Sequence, residues 1–379
     1  MQISFAAWTI LTNNFAVEEL GFTGREIGIQ QSIREIPGFL SFAAVFFLVL
    51  MREQVLAFVS LLVLGAGAAI TGFFPSYYGF LLTTFISSMG FHYFETMNQS
   101  LALQWLPKKT APATMGKILA VGSFAQLITF AFVFAMWKLV DIGYTSIFLI
   151  TGGATMLGVV WMYFHFPMFR EGVAQRKTLV VRKRYWLYYA LTFMGGARRQ
   201  IFMVFAAFMM VERFGFQVHE IAVLFFINSA LNMYFAPKIG KWIMRYGERR
   251  TLTVEYIGLV LIFTAYAFVP NVWFAIALYI IDHAFFAMAI AMKTYFQKIA
   301  DPADIAPTAG VAFTINHIAA VFIPVIFGLI WLWSPAAVFL AGAAMAAISI
   351  GLAQMVPFTP EDGIEFRWLE TAGSRGNTK

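Results

Sequence analysis

Several ionisable side chains of this sequence stand within long apolar stretches, where a charge needs a partner or a polar cavity. His92 and Glu95 are three residues apart in the stretch 76–105, so a helix places them on one face. An imidazole and a carboxylate buried side by side can both change charge near neutral pH. We therefore predict that this pair binds and releases protons. The alternative is a hydrogen-bonded pair that fixes its helix against a neighbour.

A second group of titratable residues lies in the stretch 272–298. Asp282 and His283 are adjacent, so on a helix they point about 100° apart, and one can line a cavity while the other packs at a helix interface. Lys293 follows Asp282 by eleven residues, about three turns along the same stripe. We predict proton coupling for Asp282, a solute contact for His283 and a gating or inter-bundle contact for Lys293.

Arg198 and Arg199 place two permanent positive charges in the stretch 186–211. A guanidinium binds a carboxylate or phosphate through two hydrogen bonds and does not deprotonate, which predicts a clamp for an anionic or zwitterionic solute. The alternative is an internal ion pair with Glu95 or Asp282. The other polar side chains that we predict to contact the solute are Asn13, Asn228 and His317.

Arg34 and Glu35 form an adjacent pair of opposite charge in the stretch 29–51. The two could pair within one helix, although neighbouring helix residues do not face each other. We therefore predict a gate or a bridge between the two halves of the chain, with a packing role as the alternative.

The elements that hold these residues must be membrane-spanning helices. Sixty per cent of the 379 residues are apolar, the mean hydropathy is +0.75 and only 12% are charged, about half the charged fraction of a soluble domain. Runs of about 20 apolar residues cross the hydrocarbon as helices. Twelve are predicted, at about 1–18, 29–51, 54–73, 76–105, 116–138, 144–166, 186–211, 219–240, 251–269, 272–298, 306–332 and 335–356.

The same composition excludes several classes of protein. A chain with 26 basic and 19 acidic residues, so rich in apolar ones, is neither a disordered chain nor a secreted disulfide scaffold nor a nucleic-acid binder. With no cysteine, it has no thiol catalysis, iron–sulfur cluster or cysteine zinc site. A phosphate-binding loop and a nucleotide fingerprint are both missing from the sequence, so transport driven by ATP is disfavoured. We expect no cofactor.

The basic residues between the spans predict the orientation, because cytoplasmic loops carry the excess of Lys and Arg. One set of loops holds sixteen: Arg52, Lys108, Lys109, Lys117, Arg170, Arg176, Lys177, Arg182, Lys183, Arg184, Lys238, Lys241, Arg245, Arg249, Arg250 and Lys298. The opposite set holds three: Arg25, Lys138 and Arg213. We expect both termini in the cytoplasm and the protein in the inner membrane of a bacterium.

The two halves of the chain repeat each other at an offset of 194 residues. The matched residues are Glu18 and Glu212, Gly21 and Gly215, Phe22 and Phe216, Glu26 and Glu220, Ile27 and Ile221, Gly116 and Gly310, and Trp137 and Trp331. Parallel six-helix repeats of this kind build transporters around a site at the middle of the membrane. The counterpart of Trp186 would precede Met1, so we expect the first span to lack its first turns in this chain.

Twelve spans in two repeats with a basic central loop resemble the major facilitator superfamily. The loop motif of that family is partly kept at Gly240–Arg250, where Met244 replaces an aspartate, and is nearly lost at the equivalent Leu50–Glu53. The resemblance implies an all-α membrane fold of two pseudo-symmetric six-helix bundles and a gating role for Arg245. It divides the chain into an N-terminal bundle 1–166, a cytoplasmic basic linker 167–185, a C-terminal bundle 186–357 and a cytoplasmic tail 358–379, disordered or lying on the surface.

These observations predict a secondary transporter, not an enzyme, that moves a small polar solute by alternating access and is driven by protons. We expect a monomer whose partners are the solute and membrane lipid, without nucleic acid. Two other transport functions stay open: drug efflux, because the chain is rich in aromatic residues, and metal-ion transport through the histidines and carboxylates, although two arginines would repel a cation. Outside transport, the alternatives are a membrane sensor and a metallo-hydrolase, whose H-E-x-x-H spacing the sequence lacks.

Overall fold

The structure, a computed structural model, describes residues 1–22, 24–140, 142–169, 173–216 and 218–370, and helices joined by short turns and loops make up most of these ranges. No β-strand occurs in those ranges. Seven of the described helical segments are by themselves long and apolar enough to cross a membrane. The remaining predicted spans are also helical, so the all-α fold expected from the sequence is confirmed.

The described residues of the first half form seven α-helices. They are α1 (Gln2–Glu18), α2 (Gly24–Phe39), α3 (Ala44–Phe47), α4 (Glu53–Ile70), α5 (Tyr77–Trp105), α6 (Ala111–Ala135) and α7 (Tyr144–His165). A 3₁₀ turn, Leu40–Ala43, joins α2 to α3, so these two helices together form the second predicted span.

In the second half, the residues that the structure describes form eight α-helices. They are α8 (Trp186–Gln200), α9 (Ala207–Phe214), α10 (Val218–Tyr246), α11 (Glu248–Ala267), α12 (Val272–Phe285), α13 (Ile290–Ile299), α14 (Ile305–Trp333) and α15 (Pro335–Met355). The π-helix Ile201–Ala206 joins α8 to α9, and the 3₁₀ turn Phe286–Ala289 joins α12 to α13.

The chain turns between helices where its local chemistry favours an end. The side chain of Asn271 accepts a hydrogen bond from the backbone of Phe274 at 3.0 Å and caps α12, which satisfies one of the amides that a helix start leaves unpaired. Only Gly247, with φ of 82°, separates α10 from α11. The helix α10 therefore runs six residues past the predicted end at 240, and most of the Gly240–Arg250 motif is helical instead of a loop.

The internal repeat is visible in the backbone. Gly21 and Gly215 both have positive φ, 64° and 70°, a conformation that favours glycine. The residue after each glycine closes the same turn: Phe22 donates to Ala16 at 2.9 Å and Phe216 donates to Met210 at 3.1 Å. The offset of 194 residues therefore describes matched backbone geometry as well as matched residue types.

The described structure divides into two compact units. Unit 1 contains Met1–Leu101, Gly122–Val180 and Ala306–Thr314, and unit 2 contains Ala102–Val121, Val181–Ile305 and Ile315–Lys379. Each unit is built mainly from one half of the chain and includes a short segment of the other half. The division at 166 and 186 that the sequence predicts for the two bundles stays a prediction.

The end of the central linker and the start of the tail pack together within unit 2. Arg184 lies 2.7 Å from the carboxylate of Asp362, and the ring of Phe366 stacks on Trp186 at 5.7 Å. Burial alone would lower the pKa of Arg184, but hydrogen bonds to Tyr185 and Asp362 raise that pKa above its ordinary value. The tail is thus packed as far as residue 370, whereas linker residues 170–172 and tail residues 371–379 lie outside the described part.

Glycine permits close packing of α4 against α7 in unit 1. A Cβ atom on Gly152 would lie 2.5 Å from the backbone nitrogen of Ala69 and from the carbonyl oxygen of Gly65. One on the neighbouring Gly153 would meet nothing within 4 Å. The two glycines of this sequence pair therefore have different roles, and the first holds two backbones in contact.

We expect Gly152→Ala to lower the free energy of unfolding by about 1–3 kcal/mol, because the two helices must move apart. Gly153→Ala serves as the matched control and should leave stability unchanged or slightly higher, since alanine favours a helix over glycine. Thermal unfolding in detergent, followed by tryptophan fluorescence, measures both. Equal melting temperatures for the two variants would contradict the packing described here.

Candidate functional site

In unit 1, the ring of His92 is buried and held through one of its nitrogens. Nδ1 lies 2.9 Å from the carbonyl oxygen of Ser88 and 3.0 Å from its hydroxyl oxygen. A carbonyl oxygen only accepts hydrogen bonds, so Nδ1 carries the hydrogen and Nε2 is the acceptor of the neutral ring. A proton that binds His92 must therefore bind at Nε2.

Glu95 follows His92 on α5 and is half-buried. Since Nδ1 of His92 is committed to Ser88, any proton exchange between the two predicted partners must pass through Nε2. Their role in proton coupling stays a prediction.

Ser88 also connects α5 to α2, because its hydroxyl donates a short hydrogen bond to the carbonyl oxygen of Arg34. Within α2, Nη2 of Arg34 lies 2.9 Å from Oε1 of Glu35. The pairing within the helix that the sequence left open is present. Although their Cα–Cβ bonds diverge, the long arginine side chain bends back to the carboxylate. The gating role predicted for this pair is untested.

In unit 2, Arg198 is the centre of a buried polar network. It is 5% exposed, its Nη1 donates a short hydrogen bond to the hydroxyl of Ser349 on α15, and its guanidinium lies 4.3 Å from the centre of the Tyr256 ring on α11. Cation–π contacts of this kind gain strength when water is excluded. The π-helix that begins at Ile201 follows Arg198 closely, and such segments often occur at functional sites.

Two buried carboxylates complete this network. Asp282 on α12 is 7% exposed and Glu255 on α11 is 8% exposed, and Asp282 interacts electrostatically with both Glu255 and Arg198. No ion pair between Arg198 and Asp282 is found among the described residues, where the two groups interact only electrostatically, so the internal pairing that the sequence left as an alternative stays a prediction. Glu255 was missed, because the span was predicted to begin at residue 251, which placed this residue near the membrane boundary.

The charges of the three residues do not balance when all are ionised. Two carboxylates and one guanidinium leave one negative charge in a buried site, and an uncompensated buried charge is costly. Oε2 of Glu255 is buried and has no hydrogen-bond partner in the described ranges. The network is neutral when one of its carboxylates holds a proton.

The contact between Arg198 and Ser349 has a counterpart at the equivalent positions of the first repeat. In unit 1, the hydroxyl of Ser4 on α1 donates to that of Thr155 on α7 at 2.6 Å. Arg198 and Ser349 stand 194 residues after Ser4 and Thr155. The second half therefore keeps the contact between equivalent helices and replaces its neutral donor with a guanidinium. The sequence repeat alone contains this signal, because a serine at position 4 corresponds to an arginine at position 198.

The other predicted site residues vary in their burial. Those that are buried are Asn228 and His317; those that are half-buried are Arg199, His283 and Lys293; those that are exposed are Asn13 and Arg245. Neither polar atom of the Asn228 amide has a hydrogen-bond partner among the described residues. A buried amide in this state is suited to bind a polar ligand.

Two of these residues lie on α12 and its continuation. The ring of His283 stacks on Tyr279 and Phe286, with centroids 6.2 and 5.9 Å apart. It thus packs between aromatic rings, while Asp282 joins the buried network, as their angular separation on a helix predicts. The 3₁₀ turn Phe286–Ala289 lies between Asp282 and Lys293 and changes the helical register, and the shared stripe stays a prediction.

Known proteins resemble this chain in sequence profile and in fold. The profile of the Major Facilitator Superfamily matches residues 2–324. No curated protein sequence matches.

Solved structures share the fold at low sequence identity. The Escherichia coli fucose:proton symporter is 13% identical, with 93% of this chain and 95% of that chain covered and a TM-score of 0.71. A human organic anion transporter is 13% identical, with 93% of this chain and 96% of that chain covered and a TM-score of 0.68. A bacterial homologue of the iron transporter ferroportin in its outward-facing state is 10% identical, with 93% of this chain and 95% of that chain covered and a TM-score of 0.73.

The profile covers most of the chain, and the similar structures are transporters that cover more than nine-tenths of it. The fold is therefore that of a membrane protein with twelve helical spans in two pseudo-symmetric bundles, and the protein is a secondary transporter and not an enzyme, as the sequence predicts. The chain belongs to the Major Facilitator Superfamily.

Proposed function

We propose that this transporter couples the movement of protons to that of a small polar solute, with Asp282 and Glu255 sharing the coupling proton beside Arg198. The observation that carries the proposal is the charge of the buried network: two carboxylates and one guanidinium, each more than nine-tenths buried. Because only the singly protonated network is neutral, gain or loss of a proton changes the charge within unit 2. Such a change favours one conformation of the protein over another.

The solute that we propose is an anionic or zwitterionic molecule, bound by residues outside the buried network. Arg198 already has partners in Ser349 and Tyr256, which supports its role as the fixed counter-charge. Arg199 is the half-buried guanidinium beside it, and Asn228 offers two unpaired buried amide atoms. We assign the solute contact to these two residues together with Asn13, His283 and His317.

Transport by alternating access requires the solute site to face each side of the membrane in turn. We propose His92 and Glu95 as a second proton-binding pair and Arg34, Glu35, Lys293 and Arg245 as residues whose contacts change between the two states. The excess of basic residues in one set of loops supports cytoplasmic termini. A monomer in a bacterial inner membrane is the assembly that we propose.

A ligand screen followed by uptake tests this function. Organic acids, amino acids, sugars and divalent metals are added separately to the purified protein, and its melting temperature is measured. We expect an acid or amino acid to raise that temperature, because a ligand stabilises the state to which it binds. The stabilising compound is then offered to proteoliposomes with an imposed pH gradient, which should drive its accumulation. Stabilisation by metals alone, together with metal uptake, would replace the proposal with metal-ion transport.

Replacement of Arg199 should weaken binding of the solute identified in that screen. A hydrogen bond to a charged group contributes about 1.5–3 kcal/mol, so Arg199→Ala is expected to raise the dissociation constant at least about ten-fold. Isothermal titration measures the affinity, and the exposed Arg250→Ala is the control for loss of an arginine. Unchanged affinity in the first variant would remove Arg199 from the solute site.

A further inference from the structure

A pocket of about 300 Å³ lies at the end of unit 2 where α9, α11 and α14 finish and α15 begins. Its rim carries two exposed side chains of opposite charge, Glu212 and Arg213, and its walls include the buried rings of Trp331 and Phe339. Nε1 of Trp331 donates to Glu212 at 2.8 Å, so this wall is fixed. The volume is ample for several water molecules, and the charge bias of the loops predicts that this end faces away from the cytoplasm.

Tyr266 lines the same pocket from the end of α11 and is 1% exposed. Its ring stacks on Phe339, with centroids 5.0 Å apart and an angle of 15° between the planes, which fixes the position of the hydroxyl. That hydroxyl is buried and has no hydrogen-bond partner in the part of the chain that the structure describes. A buried hydroxyl without a partner requires an explanation, and ordered water in the adjoining pocket would provide one.

Asp282 lies on the inner side of this tyrosine. The hydroxyls of Tyr266 and Tyr279 both interact electrostatically with Asp282. Tyr266 is the last residue but one of α11, whereas Tyr279 and Asp282 are seven and ten residues into α12, or about 10 and 15 Å along that helix. Buried polar groups thus extend from the pocket towards the middle of unit 2.

We propose that this pocket is the entrance of a proton path that reaches Asp282 through the hydroxyls of Tyr266 and Tyr279, separate from the route of the solute. The proposal rests on the proposed function, in which Asp282 and Glu255 share the coupling proton. A phenolic hydroxyl accepts a hydrogen bond while it donates another. A proton from water in the pocket therefore binds to the phenol oxygen as the original O–H proton leaves to a water molecule on the inner side, which passes it towards Asp282, and no tyrosinate forms.

Other charged and titratable groups surround this path. On α11 and α12 they are Glu255, Tyr256 and His283; on α8 it is Arg198; at the pocket rim they are Glu212 and Arg213. The negative charge of Glu212 attracts protons to the rim. Asp282 is the carboxylate of the network with which both tyrosines interact, so it receives the proton first and passes it to Glu255.

Replacement of Tyr266 by phenylalanine tests the path, because it keeps the stacked ring and removes only the hydroxyl. A positioned group that transfers protons contributes about 100-fold or more, so we expect solute-driven proton uptake by proteoliposomes to slow at least about ten-fold in Tyr266→Phe. Exchange of labelled for unlabelled solute, which needs no net proton movement, should keep the parental rate. The control is Tyr295→Phe, which removes another buried hydroxyl of unit 2, bonded to the carbonyl oxygen of Glu365 at 2.7 Å.

A second test uses the complete lack of cysteine in the chain. Ala336 lines the pocket, and Ala336→Cys provides one thiol for a bulky methanethiosulfonate reagent. Because proton uptake is measured on the same protein before and after labelling, a folding defect cannot imitate the result. We expect labelling to slow proton uptake and to leave solute exchange unchanged.

The outcomes separate this proposal from the function on which it rests. If the parent takes up no protons with its solute, the proposed function is wrong. If the parent does and Asp282→Asn does not, while Tyr266→Phe and the labelled Ala336→Cys both keep the parental rate, coupling stands and the path is overturned.

Discussion

Asp282→Asn is expected to abolish solute accumulation driven by a pH gradient while exchange of solute across the membrane continues. Asparagine preserves the shape of the side chain and cannot carry the proton. A gradient of one pH unit is worth about 1.4 kcal/mol, or about a ten-fold concentration ratio for one coupled proton. The parent should approach that ratio in proteoliposomes, and the variant should stop at equal concentrations on the two sides.

The control for this prediction is Glu361→Gln, which removes an exposed carboxylate outside the spans and should accumulate solute like the parent. Glu255→Gln should behave like Asp282→Asn, because both carboxylates belong to the network that shares the proton. Accumulation at the parental ratio in Asp282→Asn would remove this residue from coupling.

Arg198→Met is expected to produce the largest loss of stability, because it leaves Glu255 and Asp282 without a counter-charge. Removal of the positive charge beside buried carboxylates costs about 3–5 kcal/mol. Addition of Glu255→Gln to the same chain should recover part of that loss, since the second change removes one of the repelling charges. Chemical unfolding of the parent, both single variants and the double variant in detergent measures the interaction between the two sites.

Arg199→Met is the matched control, because it removes the neighbouring guanidinium from a half-buried position and should cost less. If the losses from Arg198→Met and Glu255→Gln simply add, the two side chains do not compensate each other. The charge count of the network would then have to be revised.

The membrane fold could be predicted because lipid imposes a simple rule on composition. Backbone groups in hydrocarbon must be paired within the segment, so apolar length alone located the spans, and the match of Gly21 with Gly215 revealed the repeat. Interruptions within spans could not be predicted in this way. The π-helix Ile201–Ala206 and the 3₁₀ turn Phe286–Ala289 depend on packing between helices.

The sequence predicted which residue types belong to the candidate site more readily than it predicted which side chains contact each other. Asp282 and Arg198 were recognised because a charge within an apolar span is costly. Glu255 was not recognised, because the span was predicted to begin at residue 251 and this residue therefore lay near the predicted membrane boundary. In the structure, Glu255 is seven residues from the start of α11. Arg34 and Glu35 pair although their Cα–Cβ bonds point in different directions on the helix. The long arginine side chain bends back to the carboxylate, which the direction of the Cβ atoms alone does not predict.

The pH inside proteoliposomes that hold a trapped indicator shows directly whether protons and solute move together through this protein. The solute identified by thermal stabilisation is added outside, with no imposed pH gradient or membrane potential. We expect a change of internal pH that begins with solute entry in the parent and is absent in Asp282→Asn. Solute entry into parent vesicles at constant internal pH would contradict this expectation.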